Sequence, residues 1–199
     1  MSLVVVKVGG SLFDLPDLQW RLQTWLPTLY DHFVLLVPGG GAMVDAIREM
    51  DQQHGFGEER AHWAALNAMT VTADLLAQLL GSSRNLVAKV TPEIFRGPPG
   101  AVRILDAHAF ALLDEGKPGC LPHSWDVTSD SVAARVAALS EAAGLILLKS
   151  TTIPEGISWA EAGRRGFVDN HFAEVLKQAP SLEVRAINFR AWPSDTTAE

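Results

Sequence analysis

Cysteine is all but missing from this chain. Cys120 stands alone among 199 residues, so no intrachain disulfide can form and a multi-thiolate metal site is excluded. Such usage points to a reducing compartment. Basic residues are also in short supply: 16 lysines and arginines face 23 acidic side chains, for a formal net charge of −7. A nucleic-acid binder needs a surplus of Lys and Arg to displace counterions from phosphates, which excludes that class. A small phosphate compound asks only for a few backbone amides and one or two lysines. Long apolar runs are lacking too. No stretch approaches the roughly 20 residues of a membrane span, and Leu145–Leu148 is far too short. Behind Met1–Ser2 stand only four apolar residues before Lys7 and two glycines. An export signal needs roughly 7–15, so we expect a soluble, cytoplasmic protein. The six histidines (32, 54, 62, 108, 123 and 171) show neither HxxxH nor HxH spacing, which argues against a metal centre.

What is present is core-forming material. With 48% apolar residues the chain is long enough to bury roughly 70% of its unfolded surface without staples. Short β-branched runs alternate with helical patterns. Leu3–Val8, Phe33–Val37, Leu86–Val90, Val102–Leu105, Leu145–Lys149 and Val184–Asn188 read as strands, most of them apolar on both faces. Helices are expected over Asp14–Tyr30 with Asp14 as N-cap, Ala42–Gln53, Glu58–Leu80 ended by Gly81, Asp106–Asp114, Ser129–Ala142 and Asp169–Gln178. Strands separated by helices require crossovers, and crossovers give a parallel sheet covered on both faces. We expect one α/β domain over residues 1–193 and a frayed polar tail over 194–199.

Two strands end in glycine-rich turns, Lys7-Val8-Gly9-Gly10-Ser11 and Pro38-Gly39-Gly40-Gly41-Ala42. Consecutive glycines let backbone N–H groups form a concave nest for an anion, and the second turn runs into a helix start, which favours negative charge. Neither is a P-loop or GxGxxG. Ligands of parallel α/β sheets lie outside the carboxyl ends of the strands, so Lys7, two residues before its turn, is within reach of what the turns hold. The bland alternatives are tight turns and an edge-strand lysine. Asp126, Thr128, Ser129 and Asp130 cluster at a helix start, where capping explains one or two of them; a carboxylate at Asp130 could also hold lysine ammonium groups in place. Lys149 ends a buried strand on the same sheet edge.

In this order, KVGGS at Lys7–Ser11, PGGGA at Pro38–Ala42, TSDSVAARVA at Thr128–Ala137 and LLKS at Leu147–Ser150 resemble the amino acid kinase superfamily. That group contains acetylglutamate, aspartate, uridylate and carbamate kinases. The segment WDVTSDS with LLKS looks most like a short branch that includes the (5-(aminomethyl)furan-3-yl)methyl phosphate kinase of methanofuran biosynthesis, with relatives linked to tetrahydromethanopterin one-carbon chemistry. The resemblance implies a three-layer αβα sandwich with a mainly parallel sheet, ATP with Mg²⁺, and direct transfer of the γ-phosphoryl group to a small-molecule acceptor. It casts Lys7, Asp130 and Lys149 as the catalytic set, with Asp130 organising the lysines and Lys7 helped by amides of Gly9, Gly10 and Gly40. Gly9, Gly10, Ser11, Lys149, Ser150 and Thr151 would face the nucleotide. Gly39, Gly40, Gly41, Asp126, Thr128 and Ser129 would face the acceptor.

The chain is short for the superfamily and lacks a lysine-bearing GGM-type segment; Ala162–Asp169 (AGRRGFVD) offers Arg164 and Arg165 there instead. The expectation is therefore a kinase acting on a phosphate monoester. The alternatives are an acyl-phosphate-forming amino-acid kinase and a non-catalytic nucleotide- or oxyanion-binding storage protein. The helix at Glu58–Leu80, bearing Trp63, Leu66, Met69, Leu75, Leu76 and Leu79, is richer in apolar residues than one packed face needs. It is the expected seam of a homodimer or higher homo-oligomer.

Overall fold

The computed structural model describes residues 2–81, 86–87 and 90–193, with backbone only at 86 and 87. Six strands, β1 (Ser2–Val8), β2 (His32–Pro38), β3 (Leu86–Val87), β4 (Val102–Leu105), β5 (Gly144–Lys149) and β6 (Glu183–Asn188), form one sheet in the order β3-β4-β2-β1-β5-β6. Every neighbouring pair is parallel. The chain builds outward from β1 through β2 to β3 and β4, then returns to lay β5 and β6 on the other flank of β1. That reversal is the topological switch, and it opens the crevice at the carboxyl ends of β1, β2 and β5.

Strand alternation divides the apolar residues between two layers. Val4, Val6, Val8, Val34, Leu36, Ile146 and Leu148 pack against α1 (Leu18–Trp25) and the later half of α3 (Glu58–Leu79). On the opposite face, Leu3, Val5, Leu35, Val37, Leu145 and Leu147 meet α5 (Ser129–Leu139) and the earlier half of α3. The same face is covered by α4 (Ala107–Asp114), α6 (Trp159–Arg164) and α7 (Phe172–Lys177). The three-layer αβα sandwich is thus observed. Helix α2 (Gly41–His54) buries none of its residues fully and lies on α3.

Several expectations need correction. Asp14 is not an N-cap: α1 begins at Leu18 behind Asp17, whose carboxylate binds Arg21 at 2.9 Å, while Asp14 pairs with Arg190. Pro27 turns the end of that expected helix into a 3-10 segment, Leu26–Leu29. The expected Asp169–Gln178 helix begins only at Phe172, because Asp169 faces α5 instead. Helix α6 lies between Lys149 and Asp169, where the sequence pattern predicts no helix; Ser158 caps it by accepting from Glu161 N at 3.2 Å. Residues 88 and 89 of the expected third strand, and the tail over 194–199, lie outside the described residues.

Candidate active site

Alternation also decides which charged side chains meet. Lys7 is in phase with Leu3 and Val5, so β1 carries it to the α5 face; Lys149 is in phase with Leu145 and Leu147 and goes the same way. Lys7 stands opposite Leu147 in the β1–β5 register, which puts the two lysines at neighbouring strand ends. β1 is paired on both sides, so Lys7 is no edge gatekeeper. The first turn of α5 lies across these ends and inserts Asp130 between them. Lys7 Nζ is 2.9 Å from Asp130 Oδ1, and Lys149 Nζ donates to Asp130 Oδ2 at 2.8 Å.

All three groups are withdrawn from water: Lys7 is 5% and Asp130 4% exposed, and the Lys149 side chain 14%. Burial pushes the Asp130 carboxyl up, but the two ammonium groups outweigh it and hold it below the usual carboxylate range. Burial lowers Lys149, and the like charge of Lys7 lowers it further; Asp130 offsets this only in part. Counted formally, two ammonium groups around one carboxylate leave one positive charge. Such an arrangement can serve as a preorganised anion receptor.

The glycine turns lock against each other beside this cluster. Gly9 N donates to Leu148 O at 2.9 Å and Gly39 N to Val8 O at 2.8 Å. These bonds fasten each turn to the neighbouring strand end. They also use the Gly9 amide, which was expected to stabilise an anion and is not free to do so. Gly10 and Gly41 approach so closely that a Cβ on Gly10 would lie 2.2 Å from Gly41 N, and Gly41 itself sits at φ +53. Only glycine permits this contact. Gly10 opens a 3-10 turn, and Gly40 and Gly41 start α2, so their N–H groups are those that a helix leaves without an intrahelical acceptor.

Ser11 Oγ donates to Ser150 Oγ at 2.9 Å, linking the first turn to the loop after β5, with Thr151 exposed beyond. Gly10, Ser11, Gly40, Gly41, Thr128 and Ser129 border a cavity of about 240 Å³ with apolar walls from Val44, Leu66, Met69 and Val132. Gly39 packs against the same point, a Cβ there lying 3.0 Å from Ser129 Oγ. Asp126 stands apart from this cavity: it is exposed and accepts from Asn170 Nδ2 at 2.8 Å. Arg164 and Arg165 both pair with Glu161 on their own short helix and extend into solvent, so among the described residues the partners of Asp130 are Lys7 and Lys149.

One residue of this neighbourhood is not legible as such in sequence patterning, which assigns Asp169 only to a helix start. Its carboxylate reaches across from the α6–α7 connection to the N-terminus of α5. There it accepts from Thr128 N at 2.9 Å, Thr128 Oγ1 at 2.8 Å, Ser131 N at 2.9 Å and also Ser131 Oγ. Asp130 lies inside the turn thus fastened. Burial raises the Asp169 carboxyl above its ordinary value despite these donors, with nearby Asp130 adding to the rise. His62 is the second such residue. It is buried at the cavity wall, stacked on His123 at 5.0 Å, and burial together with His123 brings it down to about 4.

Several known proteins are similar to this chain. The (5-(aminomethyl)furan-3-yl)methyl phosphate kinase of Methanocaldococcus jannaschii is 23% identical over 148 residues, which are 72% of this chain and 63% of that protein. The chain thus matches less than two thirds of that relative's length. Among solved structures, uridylate kinase from Archaeoglobus fulgidus superposes with a TM-score of 0.62 at 17% identity, covering 94% of this chain and 90% of that one. UMP kinase from Bacillus anthracis gives 0.61 at 15% identity, covering 94% and 87% respectively. These likenesses establish the fold. The profile of the Amino acid kinase family matches residues 2–152, which take in both glycine turns, Lys7, Asp130 and Lys149, and the chain belongs to that family.

Proposed function

We propose that this protein is an ATP- and Mg²⁺-dependent kinase that transfers the γ-phosphoryl group to a phosphate-monoester acceptor and so makes a diphosphate. The observation that carries the reading is the Lys7–Asp130–Lys149 cluster, buried beside two interlocked glycine turns at the switch point of the sheet. Phosphoryl transfer needs little covalent help from the protein. It needs two anions brought together and the charge on the moving group neutralised. Lys7 and Lys149 supply that positive charge, and Asp130 keeps both ammonium groups aimed at one point. Amides of Gly10, Gly40 and Gly41 add donors that need no reorganisation as charge develops. The Ser11–Ser150 link and Thr151 flank the nucleotide side, and Thr128 and Ser129 the acceptor side.

The concave turns and the lysines fit a polyphosphate. Asp130 is ion-paired with both lysines, although its Oδ1 accepts no hydrogen bond, and among the described residues no cluster of three or more His, Cys, Asp or Glu could hold a metal. Mg²⁺ would arrive with the phosphates of the nucleotide and would supply further neutralisation there. The relative from M. jannaschii points to an aminomethylfuran phosphate as acceptor, in methanofuran- or tetrahydromethanopterin-linked chemistry. Incubation with ATP, Mg²⁺ and (5-(aminomethyl)furan-3-yl)methyl phosphate or UMP should release ADP and give a diphosphate signal in phosphorus NMR. ADP release only with carboxylate acceptors such as acetylglutamate would make it an acyl-phosphate-forming kinase. Nucleotide binding without ADP release from any acceptor would make it a binding or storage protein.

A homo-oligomer is part of the same proposal, on a narrower basis than the sequence offers. Leu66, Met69 and Leu76 prove to be buried within the subunit, which leaves Val71, 49% exposed, and Leu75, 39% exposed, as the outward apolar residues of α3. Sedimentation at micromolar concentration should show a dimer that Leu75→Glu dissociates; a wild-type monomer refutes this.

A further inference from the structure

The cavity beside the glycine turns has three titratable or charged side chains in its lining, Asp45, Arg48 and His62. His62 is neutral near pH 7 and Asp45 is an exposed carboxylate, so Arg48 is the one cation among these lining residues. Its carboxylate neighbour one turn on is already engaged: Asp51 Oδ2 accepts from Trp125 Nε1 at 2.8 Å, and Oδ1 from Gly57 N at 3.1 Å. Arg48 has no ion-pair partner among the described residues. Instead its guanidinium lies over the Trp125 ring, 4.7 Å from the centroid, with Trp125 itself anchored through Asp51. Stacking occupies the face of a guanidinium and leaves the in-plane N–H fork for a ligand. Helical side chains lean toward the helix N-terminus, which for Arg48 is the glycine turn at Gly40–Gly41.

The charge count gives this fork a task. Lys7, Asp130 and Lys149 sum to one positive charge, whereas a phosphate monoester and a nucleotide γ-phosphate together bring several negative ones. Asp45 worsens the balance on the acceptor side. We infer that Arg48, braced on Trp125, is the residue that holds the phosphate of a phosphate-monoester acceptor in this cavity. The inference rests on the kinase reading only for the choice of acceptor, because it concerns binding rather than transfer.

The test is calorimetric titration, without ATP, of (5-(aminomethyl)furan-3-yl)methyl phosphate, of UMP and of their dephosphorylated forms. Wild type should bind at least one monoester clearly more tightly than its alcohol. Arg48→Met should weaken that binding by about 10–100-fold, the value of a charge-assisted hydrogen-bonded contact. Affinity for an unreactive ATP analogue should stay within about twofold. Arg48→Lys should fall between the two, since it keeps the charge and loses the fork. Wild-type affinity for the monoester in Arg48→Met overturns the assignment, as does equal binding of monoester and alcohol by wild type. If Arg48→Met does not fold, Arg48→Lys and Arg48→Gln decide: equal monoester affinity in these two overturns it. Monoester binding that depends on Arg48 without any ADP release defeats the kinase reading and leaves Arg48 standing. ADP release with an unchanged acceptor KM in Arg48→Met does the reverse.

Discussion

Replacing Asp130 by Asn tests the centre of the site, because it keeps the shape and removes the one negative charge between two buried ammonium groups. At 2.8 and 2.9 Å each contact is worth about 6 kcal/mol of gross attraction at an effective dielectric constant near 20. Most of that offsets the cost of burying the ions. Stripping one partner from a buried cluster typically leaves a loss of about 3–5 kcal/mol, and here two like charges are left facing each other. Were Asp130 merely an acidic residue in the first turn of α5, the loss would be only about 0.3–1 kcal/mol. Urea denaturation followed by tryptophan fluorescence separates these values.

The pH dependence carries a sign as well. Without Asp130, which now holds it up in part, Lys149 of the folded state binds its proton more weakly than in the unfolded chain, where a lysine pKa is near 10.4. The unfolded state then holds more protons, so the stability of Asp130→Asn should climb as pH rises from about 7 toward 10. Wild type should show the same slope more weakly, because Lys149 is already lowered. Lys7→Met separates fold from function: it leaves an Asp130–Lys149 pair of zero net charge and should destabilise less than Asp130→Asn. It should nonetheless cost about 10²–10³-fold in turnover, and the double variant should be little slower than Lys7→Met alone. A stability loss below about 1 kcal/mol in Asp130→Asn, with turnover near wild type, would refute the organiser role.

Asp169→Ala leaves Thr128 and Ser131 without their acceptor and should destabilise the protein by about 2–3 kcal/mol, with faster hydrogen exchange at the Ser131 amide and lower turnover through a loosened Asp130. An unchanged Ser131 exchange rate counts against it. His62 binds its proton more weakly in the folded state than when unfolded, so wild-type stability should fall as pH drops from about 6.5 toward 4. His62→Gln should flatten that part of the curve in denaturation at stepped pH. Gly10→Ala drives a Cβ toward Gly41 N and should separate the two turns. It should lower the melting temperature and abolish binding of an ATP analogue, whereas Gly55→Ala, at positive φ with open space around it, should cost stability alone.

The linear chain determines a good deal by itself. Apolar runs on both faces of β1, β2 and β5 can only be buried strands, and the helical patterns between them require parallel crossovers. Glycines after two strands, with Lys7, Lys149 and Asp130 at strand and helix ends, mark one edge of the sheet before any coordinate is known, because alternation and strand polarity are local properties. What only the tertiary structure decides is which of these groups touch. Asp169 caps a helix that begins about forty residues earlier, so no short-range pattern announces it. Arg48 and Trp125 lie 77 positions apart and meet across the cavity through α2. The Gly9 amide fails as an anion donor only because β5 lies alongside it. Sequence periodicity assigns a residue to a face; the packing of α5 across the ends of β1 and β5 brings charges on separate elements within 3 Å of each other.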